Sequence, residues 1–199
     1  DADFRRRMQA TFLVEDDDTT EQFGYAASYQ VIEELADEIG LDGLRSVIVA
    51  LHDGVNPYRP ALADDHGSTG PSWRDVVDAF DLVGGSEQVG DVLARWVLSA
   101  AMIDDLDERL DAQDALAGLE ATEPAWMVPD LVPALLSEWD FDDAETAVAG
   151  LEELLHDATA IIDGAAARSL RIDDTAQRSY EAVVDMDDID DVRDVLDDQ

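Results

Sequence analysis

The chain has 199 residues, 46% of them hydrophobic, which is enough to bury a core and disfavours an intrinsically disordered protein. It has 49 acidic residues and only 12 basic ones, which gives a formal net charge of -37. Such a charge argues against nucleic acid as a partner, because binding there requires lysine and arginine to neutralise phosphates. Without cysteine there are no disulfides and no thiolate metal ligands. No apolar run reaches the roughly 18 residues that a transmembrane helix needs.

The acidic composition is unusual in its details. All 12 basic residues are arginine, and aspartate outnumbers glutamate 35 to 14 although it is the poorer helix former. A surface of this kind repels itself in dilute buffer, whereas at molar salt the screening length falls to about 3 Å. The composition resembles that of proteins from extreme halophiles, and we expect a halophilic, archaeal protein whose surface carboxylates are surrounded by salt cations. The alternative is an acidic scaffold for basic partners.

Apolar residues at helical spacing predict four helices in the first part of the chain. The first ends at Gly40, the second ends at Gly54, the third is capped by Ser72, and the fourth runs from Ser86 to about Leu119. The predicted inward positions are Phe23, Ala27, Val31, Leu35, Ile39, Leu44, Val47, Ile48, Leu51, Trp73, Val76, Val77, Phe80, Val89, Val92, Leu93, Trp96, Val97, Ala100 and Ile103. Residues 55–71, rich in proline and glycine, predict a long surface loop.

The stretch ATEPAWMVP at 121–129 interrupts the helical pattern and predicts a boundary. After it we expect a short helix from Pro129 to Trp139, a long helix ending near Gly164, and a final amphipathic segment before an acidic, partly frayed tail. The predicted inward positions are Ala144, Val148, Leu151, Leu155, Ala158, Ile162, Ala176, Tyr180 and Val183. The prediction is an all-α protein, an antiparallel bundle of about six to eight helices in two subdomains, 1–120 and 121–199.

Histidines are the usual groups for metal or acid–base chemistry, and the chain has three. His52 and His156 each precede an aspartate near a predicted helix end, where an imidazolium interacts favourably with the helix dipole. His66 lies beside Asp64 and Asp65 in the predicted loop, where a weak cation site is the alternative to a solvated surface. The acidic run Asp16 to Asp18 lacks the spacing of a calcium loop. We predict no metal site and no bound cofactor in this chain.

Aromatic residues supply the remaining candidates. The four tryptophans are spaced as core anchors, although Trp126, flanked by prolines, is also a candidate docking residue for a protein partner. Tyr25 and Tyr29 lie four residues apart and therefore share one face of the first helix. Both are expected to be partly buried with exposed hydroxyls, and Tyr25 is the alternative candidate for a role in chemistry.

The run from Gly24, Tyr25 and Tyr29 through Gly40 to Gly54 resembles the helical subdomain that follows the active site in gluzincin metallopeptidases. The tryptophan-bearing helices and the Trp139-Asp140-Phe141 step resemble later helices of that family. The resemblance implies a non-catalytic C-terminal region that supports a substrate cleft, with zinc held upstream in the same polypeptide. It also implies an extracellular or cell-surface location.

The chain departs from gluzincins at the decisive point, because it contains no His-Glu-x-x-His. It begins at Asp1 without a start methionine, so we expect a processed chain or a segment of a longer one. If the resemblance holds, Tyr25 is the one position with a claim to donate a hydrogen bond to the oxyanion of the parent enzyme. The alternatives are an autonomous helical interaction module and, ranked last, a hydrolase complete within these residues.

We predict that the unfolding midpoint rises between low and molar potassium chloride, because screening relieves repulsion among the carboxylates. Thermal unfolding followed by circular dichroism across a salt series measures it. A midpoint that stays constant or falls with salt would contradict the halophilic interpretation.

Overall fold

The computed structural model describes residues 17–59, 71–124, 126–170 and 174–197, with side chains from Ala26 onward. It is 77% helical, and the described residues contain no β-strand, which confirms the predicted all-α helical bundle. Its α-helices are α1 Asp17–Asp53, α2 Trp73–Asp78, α3 Val89–Trp96, α4 Ala100–Glu120, α5 Leu131–Glu138, α6 Phe141–Ala167, α7 Thr175–Glu181 and α8 Asp187–Asp197. A π-helical segment, Ala79–Val83, continues α2.

Internal contacts divide the chain into two compact units. Unit 1 takes the described parts of 1–55 and 64–103, and unit 2 takes those of 56–63 and 104–199. The division between residues 103 and 104 falls inside α4, whereas residues 121–129 form the connection between α4 and α5. The predicted subdomains 1–120 and 121–199 stay a prediction.

In unit 1, α1 is bent at Gly40, whose φ of 73° and ψ of 177° are accessible essentially to glycine alone. The residue interrupts the helix where the sequence predicted an end. Of the predicted inward positions before it, Ala27, Val31 and Leu35 are buried, and after it Val47 is buried. The prediction for Ile48 is wrong, because its side chain is 57% exposed. Side chains at adjacent helical positions point in directions about 100° apart, so when Val47 points into the core, Ile48 points away from it.

Two glutamates one turn apart on α1 hold the α3 region. The Glu34 carboxylate accepts hydrogen bonds from Arg95 Nη1 at 2.7 Å and from Trp96 Nε1 at 3.1 Å. The Glu38 carboxylate accepts from the buried Ser86 hydroxyl and from the Glu87 backbone N–H at 2.9 Å. These bonds place polar acceptors at the edge of the α1–α3 contact and leave its centre apolar.

The predicted continuous helix from Ser86 to Leu119 is wrong, because the chain breaks between α3 and α4. The Val97 backbone leaves the helix, and the Ser99 hydroxyl accepts a hydrogen bond from the Met102 N–H at 3.4 Å, as an N-cap residue does. As a result Val97, predicted to face inward, is 51% exposed. The helical repeat on either side of the break does not stay in phase.

Unit 2 is built on α6. Eight of its residues are buried: Phe141, Ala144, Ala147, Val148, Leu151, Leu154, Leu155 and Ala158. Helices α5 and α8 pack against it, and α8 approaches Gly150, where an added Cβ would lie 3.3 Å from Ile189 Cγ2. Ile162, predicted to be buried, is 38% exposed and lies in the last turns of α6, after Ala158, the last buried residue of that helix.

The acidic tail contains a helix that the sequence analysis missed. Residues 187–197 form α8, which buries Ile189, Val192 and Leu196, and α7 contributes the predicted inward positions Ala176 and Tyr180. Val183 is also buried, as predicted. The expected fraying concerns the end of the tail, and residues 198–199 lie outside the described residues.

Helices α4 and α6 run in the same direction, with α5 returning the chain between them. The residue numbers of contacting pairs increase together in the two segments, which is the pattern of parallel helices. Arg109 contacts Trp139, Gly118 lies beside Glu152, and the Glu123 carbonyl accepts from the Thr159 hydroxyl at 2.7 Å. Side-by-side parallel helices need such a returning segment, because a short loop joins only antiparallel neighbours.

Arg109 is a buried cation on α4, with 2% of its surface exposed. Its guanidinium lies 5.9 Å from the centroid of the Trp139 ring and donates to Gln113 Oε1 at 3.3 Å. Gln113 Nε2 in turn donates to the Tyr58 hydroxyl at 3.0 Å. This chain of contacts attaches residues 56–59 to α4 within unit 2.

We predict that Gly84→Ala destabilises the protein by about 1–3 kcal/mol, the usual cost of overpacking. A Cβ at Gly84 would lie 2.7 Å from the Phe80 carbonyl oxygen and 2.8 Å from Val47 Cγ2, and the backbone oxygen has little freedom to move. The control is Gly118→Ala in α4, where the nearest atom would be 3.7 Å away. The Gly118→Ala variant should be more stable by about 1 kcal/mol, because alanine has the higher helix propensity. Urea unfolding in molar salt compares them, and equal effects would contradict the close approach at Gly84.

We predict that Arg109→Met lowers the free energy of unfolding by about 3 kcal/mol, from the lost cation–π contact and charged hydrogen bond. Arg178→Met is the control, because the Arg178–Asp174 ion pair, at 2.8 Å, is exposed on both sides. An exposed pair at this spacing contributes about 0.3–0.5 kcal/mol. Urea titrations in molar salt measure both variants. Similar losses would show that Arg109 is not a buried anchor.

Candidate functional site

The structure places Tyr25, the predicted candidate for chemistry, in α1, one turn before Tyr29. The Tyr25 side chain lies outside the described residues, so its proposed role stays a prediction. The Tyr29 side chain is 68% exposed, more than the partial burial that we expected.

The histidines and acidic residues that the sequence offers as candidates for metal or acid–base chemistry do not come together in the described part of the chain. His52 lies in the last turn of α1, as predicted, with Nδ1 2.8 Å from Asp53 Oδ1. His156 is exposed in the middle of α6, so its predicted place near a helix end is wrong. His66 and Asp16 lie outside the described residues, and among those described no three His, Asp or Glu side chains are placed to hold a metal ion.

Trp126 and Met127 mark the loop between α4 and α5. The half-buried Trp126 ring packs edge-on against Tyr180, with 5.4 Å between centroids. The Met127 side chain is 67% exposed, although its backbone N–H donates to Glu181 Oε1 at 3.2 Å. The loop is therefore anchored to α7 on one side while it exposes an apolar side chain on the other.

The sequence analysis treated Tyr180 as a core residue and missed its chemical peculiarity. Its side chain is fully buried, and its hydroxyl has no hydrogen-bond partner within the described structure. Burial, followed by the negative charges of Glu152 and Glu181, raises the pKa of the hydroxyl above its ordinary value of 10.0. A phenol with a raised pKa stays neutral at neutral pH and is a weaker acid than a free tyrosine.

A shallow acidic groove lies between α4 and α6 in unit 2. Its volume is about 600 Å³, and it is lined by Asp111, Asp114, Ala115, Gly118, Glu145, Val148, Ala149 and Glu152. Its lining combines small or apolar residues with carboxylates from both helices. Gly118 keeps this space open, because it presents no side chain toward Glu152.

The more distinctive surface is on α1 in unit 1, which we call the α1 apolar surface. It comprises Leu41, Ile48 and Val49, which follow Gly40 and are 82%, 57% and 50% exposed. Tyr29 and Ile32 are also exposed, but they precede the bend at Gly40. Leu41 and Ile48 are seven residues apart, about two turns, so they lie on the same side of the second half of the helix. A helix that already buries one apolar face therefore exposes further apolar side chains.

No described helix is both long enough and apolar enough to cross a membrane. Comparison of the chain with models of known families, with curated proteins and with solved structures finds no match.

We predict that the free energy of unfolding of the Tyr180→Phe variant at neutral pH equals or exceeds that of the native protein. The reason is that an unsatisfied buried hydroxyl costs about 1–3 kcal/mol. The native protein should lose stability as pH rises above 10.0, since the unfolded tyrosine ionises there while the folded one keeps its proton. The variant lacks this contribution, so its advantage should grow above that pH.

Urea titrations at a series of pH values measure the difference, with Tyr29→Phe as a control for loss of an exposed hydroxyl. At neutral pH that control should change stability by less than about 0.5 kcal/mol. A Tyr180→Phe variant that is clearly less stable than the native protein would show that the hydroxyl is bonded.

Proposed function

We propose that this chain is a non-catalytic helical region of a halophilic, gluzincin-like metallopeptidase, in which it lies against an upstream part of the same polypeptide and shapes its substrate cleft. The contact is made by the α1 apolar surface. The zinc ion belongs to the upstream part, and the carboxylate coat of this region interacts with salt cations.

The exposure of the α1 apolar surface is the observation that carries the proposal. Leu41 is 82% exposed on a helix whose other face is packed into unit 1, although burying apolar area is favourable by about 25 cal/mol per Å². Leu41 and Ile48, exposed on the same side of the second half of α1, offer an apolar contact to a partner. The gluzincin resemblance supports the choice of occupant, because it assigns α1 to the region that follows the active site.

Tyr25 belongs to the same proposal. It lies on α1, one turn before the exposed Tyr29, in the part of the chain that carries the resemblance. Its proposed task is to donate a hydrogen bond to the oxyanion that forms during peptide hydrolysis in the parent protein.

A second candidate is an autonomous interaction module that binds a separate protein. The exposed Met127 beside Trp126 favours it, because this anchored loop offers an apolar contact in unit 2 that the first candidate does not use. The two candidates differ in where the partner is encoded. An upstream His-Glu-x-x-His in the same reading frame supports the first, and its absence would end that candidate.

The binding prediction is tested by mixing this chain with the separately produced upstream polypeptide in molar potassium chloride. Leu41→Ser should weaken association about tenfold or more, equal to at least about 1.4 kcal/mol. The control is Leu170→Ser, which removes a leucine that is 63% exposed in unit 2. Sedimentation measures the association, and equal affinities for the two variants, or no association of the native chain, would contradict the proposal.

Circular dichroism and unfolding of the isolated variants serve as the fold control. Because Leu41 is almost entirely exposed, Leu41→Ser should change the stability of the isolated chain by less than about 0.5 kcal/mol. A loss of binding without a loss of fold then reports on the surface itself.

A further inference from the structure

We draw no further inference here: the strongest candidate, the shallow groove between α4 and α6 in unit 2, is a cluster of exposed carboxylates over small apolar residues, and nothing in the structure shows what would occupy it.

Discussion

Burial of one face of α6 is the interaction on which unit 2 depends. Leu151 and Leu154 are fully buried there, and α5 and α8 pack against the same helix. Close approach is made possible by residues without bulk, since α8 meets α6 at Gly150. Because these contacts are apolar, their free energy comes from area removed from water and is not set by the sign of the surface charge.

Charge sets the second constraint, since 12 arginines cannot neutralise 49 carboxylates by pairing. The described ion pairs are mostly exposed, as for Arg178 with Asp174, and such pairs contribute little. Two of the carboxylates that join helices, Glu34 and Glu38, bond to indole, guanidinium, hydroxyl and backbone donors at the edge of the α1–α3 contact. Dissolved salt screens the repulsion that remains, while the apolar contacts hold the helices together.

Much of the helical architecture could be predicted from apolar spacing, because a buried helix face repeats at the pitch of the helix. The repeats at Ala27, Val31 and Leu35, and from Ala144 to Ala158, occupy the positions that they predict. Ser72 also acts as predicted, forming a capping box with Asp75. These features are local, so neighbouring residues contain the information that is needed.

The sequence predictions fail where tertiary contacts, or a shift in the phase of the helical repeat, determine which residues are buried. Ser99 was available as a capping residue, but the apolar residues on both sides suggested one continuous helix. Ile162 continues the α6 repeat beyond Ala158, the last buried residue of the helix, so periodicity alone misplaces it. The acidic composition of the tail concealed the i, i+3, i+7 spacing of Ile189, Val192 and Leu196, which is the signal that identifies α8.

The candidate sites were less accessible to sequence reasoning than the helices. The orphan hydroxyl of Tyr180 depends on Trp126, Glu152 and Glu181, which are brought together only by folding. The α1 apolar surface is equally hidden, because Ile48 and Val47 have similar side chains and differ only in the direction that the packed helix gives them. Exposure, which suggests an interaction surface, is a property of the fold.

Amide hydrogen exchange in molar potassium chloride tests the central claim, that an apolar core centred on α6 holds unit 2 together beneath its acidic coat. The account predicts the slowest exchange along the buried stretch from Ala144 to Ala158, with faster exchange toward Ala167, where α6 has no further buried residue. Uniformly fast exchange along α6, at a salt concentration where the far-ultraviolet spectrum is fully helical, would contradict it.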